Sequence, residues 1–238
     1  MVPWSNEIII TAIVLGSFIF IIAGIIIFAV ISERKRDEAF KKLSIRQGFH
    51  LTLKKYPLEK IEANLDLFTK GYSKKVRRMI EGSYGKMNWK IFDYYYIVGA
   101  GKSSSQISTT VFLVGKNDLN LPHFYISHEN FLTRVGTVFS GKDIDFENHP
   151  IFSDKYYLFG KDESAIKKFF NDSKLKYFEN NDFTKMNFSG KKEIKLRNFV
   201  IEANGKYAAF YNHSRQIPPE YIYDMMNKCK EIIGFLNK

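Results

Sequence analysis

The stretch that most suggests chemistry is residues 96–104, YIVGAGKSS, where an apolar run leads into Gly-Ala-Gly-Lys-Ser. A phosphate-binding loop has the pattern G-x4-G-K-[ST], and its first glycine opens the turn that aims backbone N–H groups at phosphate. Counting back from Gly101 places Tyr96 at that position, and the segment after Lys102 is rich in serine and β-branched residues instead of helix formers. We therefore interpret the stretch as a hairpin loop between two strands and not as a nucleotide site.

A second group of interest is acidic. Asp143, Asp145 and Glu147 alternate along the chain, so in an extended segment their carboxylates point to one side. Hard cations such as Ca²⁺ and Mg²⁺ bind oxygen clusters of this kind. One hypothesis is thus a metal-dependent enzyme that uses these carboxylates with a nearby histidine such as His149. The competing interpretation is a solvated acidic edge neutralised by lysines, because no glycine shapes a binding loop here, and under it we expect no metal or other cofactor.

Other reactive residue types lack a catalytic context. His123 and His128 are an odd number of residues apart, so on one strand they face opposite sides and cannot share a metal. Cys229, the one cysteine, lies in an apolar pattern of helical spacing and is predicted to be buried. No serine occurs in a G-x-S-x-G motif. The sequence therefore identifies no catalytic residue.

The elements around these residues begin with a membrane span. Residues 8–31 contain no charged side chain, and a helix of that length extends about 36 Å, enough to cross a hydrocarbon core of about 30 Å. A cleaved signal peptide would need a basic start and a shorter apolar core. Residues 1–7 carry no Lys or Arg, and the charges come after the apolar run. We predict a retained transmembrane helix.

Residues 32–48 are predicted to continue as a charged juxtamembrane helix. By the positive-inside rule, residues 1–7 form a short extracytoplasmic N-terminus and the remainder of the chain is cytoplasmic. The membrane-proximal cations on which this orientation rests are Arg34, Lys35, Arg36, Lys41 and Lys42.

The formal net charge is +11 at pH 7. Each Lys or Arg close to an anionic leaflet gains about 1 kcal/mol, so the charge fits the bilayer and its anionic lipid headgroups as partners better than nucleic acid. Within the span, Ala12, Gly16 and Ala23 lie near one helical face on which a second helix could pack closely. A homodimer or a membrane protein partner is a further hypothesis.

Residues 49–238 show the pattern of an α+β domain. In residues 87–99 both alternating faces are apolar, which predicts a central strand covered on both sides, and further strands are predicted at 107–115, 123–129 and 155–160. A short helix is expected over 57–68 and another over 130–139. Asn204-Gly205 predicts a type I′ hairpin that pairs Ile201 with Ala208. Without a regular βαβ alternation, these elements predict an antiparallel sheet with packed helices, in one domain or split near residue 140.

Three stretches resemble a family of prokaryotic proteins that look like a short membrane anchor followed by a domain: RRMIEGSYGKMNWKIFDYYYIVGAGK, LPHFYIS and DIDFENHPIFSDKYYLFGKDE. The resemblance covers most of residues 40–235. The family has no assigned activity, so it implies an architecture and no site residue. Together these observations predict a membrane-anchored cytoplasmic interaction or scaffold domain, with the metal-dependent enzyme as the alternative.

Overall fold

The computed structural model describes residues 6–128, 142–188, 190–213 and 215–237. Helix α1, Asn6–Gln47, is one unbroken helix of 42 residues, about 63 Å long. Its apolar part is exposed and has a mean hydropathy of 3.0, which meets the length and composition of a membrane span. The predicted span and the predicted juxtamembrane helix are therefore a single element. Gly48, with φ +67°, ends it.

An antiparallel sheet of eight strands forms the centre of the domain, in the order β1-β2-β3-β4-β10-β9-β5-β6. Strands before and after residue 140 hydrogen-bond to one another in this one sheet. The strands are β1 His50–Thr52, β2 Tyr72–Tyr84, β3 Met87–Val98, β4 Ser105–Gly115, β5 Leu121–His128, β6 Tyr156–Gly160, β9 Phe199–Gly205 and β10 Tyr207–Asn212, beside a small ribbon of β7 Lys185–Met186 and β8 Ile194–Lys195.

Helices cover one face of the sheet. They are the C-terminal part of α1, α2 Pro150–Lys155, α3 Glu163–Phe169, α4 Asp172–Asn180 and α5 Ile222–Leu236. Phe40 and Leu43 of α1 are buried in the same core as Phe112 of β4 and Met225 of α5. The C-terminal end of α1 is thus part of the domain core. The α+β prediction is confirmed, while the helix predicted over 130–139 lies outside the described residues.

The opposite face of the sheet is covered by the segment between β1 and β2. Where a short helix was expected, this segment forms two 3₁₀ turns, Leu58–Lys60 and Asp66–Phe68. Its side chains Leu65 and Leu67 pack on the sheet beside a group of buried tyrosines that includes Tyr94, Tyr96, Tyr125 and Tyr211. The sheet therefore has a core on each face, as the apolar alternation of β3 predicted.

The β3–β4 connection is the hairpin expected from YIVGAGKSS. Val98 pairs with Ser105, and the loop between them contains only a 3₁₀ turn, Gly101–Ser103. Tyr96 is buried in the sheet and pairs with Ile107. Because a strand and not a helix follows the glycines, no helix N-terminus faces this loop, and the hairpin prediction is confirmed.

The register of the β9–β10 hairpin differs from the prediction. Ile201 pairs with Phe210, and Asn204 pairs with Tyr207, so the two loop residues are Gly205 and Lys206. Gly205 has φ +57° and Lys206 does not have a positive φ, as in a type II′ turn, where only the first loop residue needs that conformation. The Asn204 amide instead donates to the Asn64 carbonyl at 2.9 Å. Each β9 residue thus pairs with a β10 residue two positions beyond the predicted one. Because side chains alternate between the two faces of a strand, a displacement of two leaves the same side chains facing the core.

Candidate functional site at the helix–sheet junction

Arg36 lies where α1 meets the sheet. Only 5% of the residue is exposed, and its guanidinium clamps the carboxylate of Asp93, which is completely buried in β3. The Nε donates to Asp93 Oδ2 at 2.6 Å and Nη2 donates to Asp93 Oδ1, while Nη1 donates to the Ile217 carbonyl at 2.7 Å. Arg36, named above with the membrane-proximal cations, thus points into the domain and is not available to headgroups. Its charge is neutralised by a bidentate salt bridge with Asp93.

A second buried guanidinium, that of Arg78 in β2, completes the cluster. Its Nη1 donates to Asp93 Oδ2 at 3.1 Å, its Nε donates to Asp37 Oδ1 at 2.5 Å, and its Nη2 donates to Glu33. Burial alone would lower the pKa of Arg78, but the hydrogen bonds to Asp37 and Glu33 and the charge of Asp93 raise it above its ordinary value. Both carboxylates beyond Asp93 come from α1, so Arg78 fastens the helix to the sheet a second time.

The backbone of β2 is distorted to place Arg78. Its φ is +55°, and the β2–β3 register shifts between Arg77 and Ile80. Alternating residues of a regular strand share a face, so the shift allows Val76 to pack on one side of the sheet and Ile80 on the other. A left-handed conformation at a non-glycine residue costs on the order of 1–3 kcal/mol. This conformational cost falls on Arg78, the residue whose ion pairs connect α1 to the sheet.

Thr110 of β4 donates the remaining hydrogen bond that the Asp93 carboxylate accepts. Its Oγ1 donates to Asp93 Oδ1 at 3.2 Å and accepts from Arg36 Nη2 at 2.5 Å and from the Ile217 N–H at 3.0 Å. Asp93 therefore accepts four hydrogen bonds, two at each oxygen, which fills the capacity of a carboxylate. We call Arg36, Asp93, Arg78 and Thr110 the junction cluster.

The other predicted cations stay at the surface. Arg34, Lys35, Lys41 and Lys42 are exposed. All of them except Lys41 line a groove of about 610 Å³ between α1 and the segment that begins α5. Arg46 also lines this groove, and its guanidinium carbon lies 3.5 Å from the centre of the Tyr223 ring. We call this cavity the stalk groove.

The acidic residues of the metal hypothesis are not brought together into a site. Asp143 is half-buried and accepts a hydrogen bond from the Leu158 N–H at 2.9 Å, and burial raises the pKa of its carboxyl. Asp145 and Glu147 are exposed. The ring of His149 lies instead against carboxylates of α4, 3.2 Å from Asp172 and 3.1 Å from Glu179. Across the described ranges, no group of three or more His, Cys, Asp or Glu side chains could hold a metal.

The opposite face of the sheet contains a buried carboxylate, Glu202 of β9. It accepts hydrogen bonds from the backbone N–H groups of Asp66 and Leu67 and from the Tyr211 hydroxyl, the last at 3.0 Å. Burial raises the pKa of Glu202 and lowers that of the nearby Lys70. Since the backbone donors belong to the 3₁₀ turn over the sheet, Glu202 fixes that covering segment. Cys229 is fully buried in the α5 core, as predicted, and burial raises the pKa of its thiol.

Sequence reasoning missed the junction cluster, although one signal pointed to it. Asp93 is the single carboxylate in the apolar run WKIFDYYYIV, and a charge on a central strand requires a buried partner of opposite sign. The partners, Arg36 and Arg78, are 57 and 15 residues away in sequence. Only the three-dimensional arrangement identifies which of the many basic residues they are.

No model of a known protein family matches the chain, and no curated protein matches it either. A solved structure of similar fold is that of the mycobacterial trehalose monomycolate transport factor A, TtfA. The match covers 86% of this chain and 93% of that one, with a TM-score of 0.50 and 8% sequence identity. At this identity the likeness shows the fold alone. The fold of the matched part of the chain thus has a counterpart in TtfA.

Proposed function

We propose that this chain is a single-pass membrane protein that holds one folded domain at a fixed position beside the bilayer and presents it as an interaction or scaffold module. The observation that carries the proposal is the continuity of α1, which runs without a break from exposed apolar residues into the buried junction cluster. A flexible linker would let the domain tumble. A helix locked by Arg36 transmits the position and tilt of the span to the sheet.

The domain would lie on the cytoplasmic side, with residues 1–7 outside. The basis is the positive-inside rule, since the cations of α1 all follow the apolar run. Arg34 and Lys35, within about 6 Å of Ile31 along the helix, would meet anionic headgroups. A second copy or another membrane protein would pack on the face of α1 that contains Ala12, Gly16 and Ala23.

The name of TtfA describes a factor in the transport of trehalose monomycolate. An accessory role at a membrane suits an apolar helix that Arg36 and Arg78 join to the domain, and the words transport factor in that name agree with such a role. The cargo of TtfA is not carried over to this chain. The resemblance to prokaryotic proteins with a short membrane anchor and a domain supports the same architecture and implies no particular activity.

Orientation is tested by labelling introduced cysteines on intact cells. Because Cys229 is buried, a new surface cysteine would be the accessible thiol of the described residues. A membrane-impermeant maleimide should label Val2→Cys from outside and should label Asn187→Cys, an exposed position of the domain, only after permeabilisation. Labelling of Asn187→Cys in intact cells would place the domain outside.

The scaffold role is tested by separating the span from the domain. A photo-crosslinking amino acid is placed at the exposed positions Tyr84 and Ile151 in native membranes, with and without a Gly-Ser insertion between Ser32 and Glu33. We expect discrete protein adducts that the insertion reduces strongly, while the chain stays in carbonate-washed membranes. The control is the same insertion after Asn117, in the exposed β4–β5 turn. Adducts with lipid alone, or adducts that survive the insertion at Ser32 unchanged, would contradict the proposal.

A further inference from the structure

The stalk groove begins where the bilayer ends. Its first lining residue is Ile31, the last residue of the uninterrupted apolar run, and its lining continues along α1 to Arg46. At 1.5 Å per residue, these positions are about 22 Å apart along the helix axis. The groove is therefore open to the headgroup layer at one end and extends away from it along the stalk.

The floor of the groove is apolar and its rim is basic. Ala39, Leu43 and Tyr223 provide apolar surface, and Arg34, Lys35, Lys42 and Arg46 provide positive charge. The lining also includes Glu38 and Glu220, so four cations face two carboxylates. Lys35, Lys42 and Arg46 are seven and four residues apart and therefore lie in a row along one side of α1, with Arg34 next to that row.

The rim cations are not paired within the described part of the chain. None of the four forms an ion pair with a carboxylate, whereas Arg36, on the neighbouring side of α1, shares Asp93 with Arg78 of β2. Arg46 is held in place by its stacking on Tyr223. A stacked guanidinium beside exposed lysines is suited to anionic oxygens, which guanidinium binds with two donors at once.

We propose that the stalk groove binds the headgroup of one anionic phospholipid from the adjoining leaflet. Arg34 and Lys35 hold its phosphate at the level of the headgroup layer, and Ala39 and Tyr223 contact the carbon atoms of the headgroup beyond the phosphate. Lys42 lies about 10 Å below Lys35, so headgroups with a second anionic group bind more tightly than those with one. The inference rests on the proposed membrane anchoring, and it replaces a diffuse attraction by a site of defined stoichiometry.

Adjacent lysines of α1 provide the matched test. Lys42 lines the groove and Lys41 does not, yet both are exposed, carry the same charge and lie at nearly the same distance from the membrane. Full-length protein in non-ionic detergent micelles is titrated with phosphatidylglycerol or with a doubly charged phosphoinositide, and bound lipid is counted by native mass spectrometry. We expect one retained lipid, about fivefold weaker retention in Lys42→Gln, and less than a twofold change in Lys41→Gln.

The outcomes separate the lipid site from the anchoring on which it rests. Equal losses in Lys41→Gln and Lys42→Gln, or no loss in either, would overturn the lipid site, because the attraction would then be diffuse. A second variant, Arg46→Gln, should weaken retention as Lys42→Gln does, and its failure to do so would count against the groove as well. Extraction of the unsubstituted chain from membranes by carbonate would instead contradict the proposed membrane anchoring.

Discussion

Basic residues on two sides of α1 have opposite environments: on one side they are buried and paired, and on the other they are exposed. On one side of α1, Arg36 is buried and paired with Asp93, within hydrogen-bonding distance of Thr110. On another side, Lys35 and Lys42 are exposed along the stalk groove and have no ion-pair partner among the described residues. The sequence shows only a run of basic residues. The position of Asp93 on β3 decides which of them becomes part of the structure and which stays available to a ligand.

Replacing a buried, paired residue and replacing an exposed, unpaired residue of α1 should also have different effects on stability. Removing one partner of a buried ion pair leaves an uncompensated charge away from water, which costs several kcal/mol. An exposed lysine without a partner loses almost no interaction when it is replaced. The junction side of the helix should therefore control folding and rigidity, and the groove side should control lipid binding with little effect on folding.

The largest effect is expected for Asp93→Asn. The amide cannot neutralise Arg36 and Arg78, so we predict that the free energy of unfolding falls by about 3–5 kcal/mol. The measurement is urea unfolding of the full chain in detergent micelles, followed by tryptophan fluorescence. Asp118→Asn, which removes an exposed carboxylate 2.8 Å from Lys116, is the control and should change stability by less than about 0.5 kcal/mol. Similar values for the two variants would show that the junction cluster is not a buried ion network.

His213 sharpens the comparison, because it is a buried basic side chain that the fold keeps neutral. Burial, with a contribution from Lys70, lowers its pKa to about 4. The unfolded chain therefore binds more protons than the folded one between about pH 6.5 and pH 4, so stability present above pH 6.5 is lost as the pH falls through this window.

We expect this contribution to be about 2–3 kcal/mol at pH 4.5. The measurement is the difference in unfolding free energy between the unsubstituted chain and His213→Asn, taken at pH 7 and at pH 4.5. Because Glu202 and the other titrating groups are common to both proteins, their contributions cancel in this difference. The stability of the unsubstituted chain relative to the variant should fall on acidification. A difference independent of pH would mean that His213 is not kept neutral by burial.

A smaller effect is expected for Arg36→Lys, which keeps the charge and removes the planar fork. The lysine amine cannot reach the Asp93 carboxylate, the Ile217 carbonyl and Thr110 together in the geometry that the guanidinium has. We predict a loss of about 1–2 kcal/mol in the same urea experiment. Arg34→Lys on the exposed side is its matched control, and an equal loss there would remove the distinction between the two sides of the helix.

The smallest effect on stability is expected in the stalk groove. Lys42→Gln should shift the free energy of unfolding by no more than about 0.5 kcal/mol, because its side chain is exposed and unpaired. The urea midpoint in lipid-free micelles measures this directly. A substantial destabilisation would show that the groove cations have a structural role and would weaken the contrast on which the lipid site depends.

Much of the architecture follows from local patterns in the sequence. The apolar run of residues 8–31 predicts a membrane-spanning length of helix, and the alternation in β3 predicts a strand with a core on each face. The hairpin after Val98 follows from the missing glycine at Tyr96 and the β-branched residues beyond Lys102. These features depend on residues that are close in sequence, so the sequence pattern alone predicts them.

The candidate site does not follow from local patterns, for two physical reasons. The junction cluster joins residues of α1, β2, β3 and β4 that are far apart in sequence, so no spacing rule relates Arg36 to Asp93. The position of Arg78 further depends on a bulge with a left-handed backbone at an arginine, a conformation that local preferences disfavour. Likewise, the β9–β10 register differs from the prediction because the turn is formed by Gly205 and Lys206 and not by Asn204 and Gly205.

We infer that α1 and the domain form one rigid unit through the junction cluster. Spin labels at Ile27→Cys in the span and Asn117→Cys in the exposed turn of the domain, in a Cys229→Ala background, report the distance between the two parts in reconstituted membranes. Pulsed electron paramagnetic resonance should give a single narrow distance distribution that broadens markedly in Asp93→Asn. A broad distribution in the chain that retains Asp93, or a narrow one unchanged by Asp93→Asn, would contradict the claim.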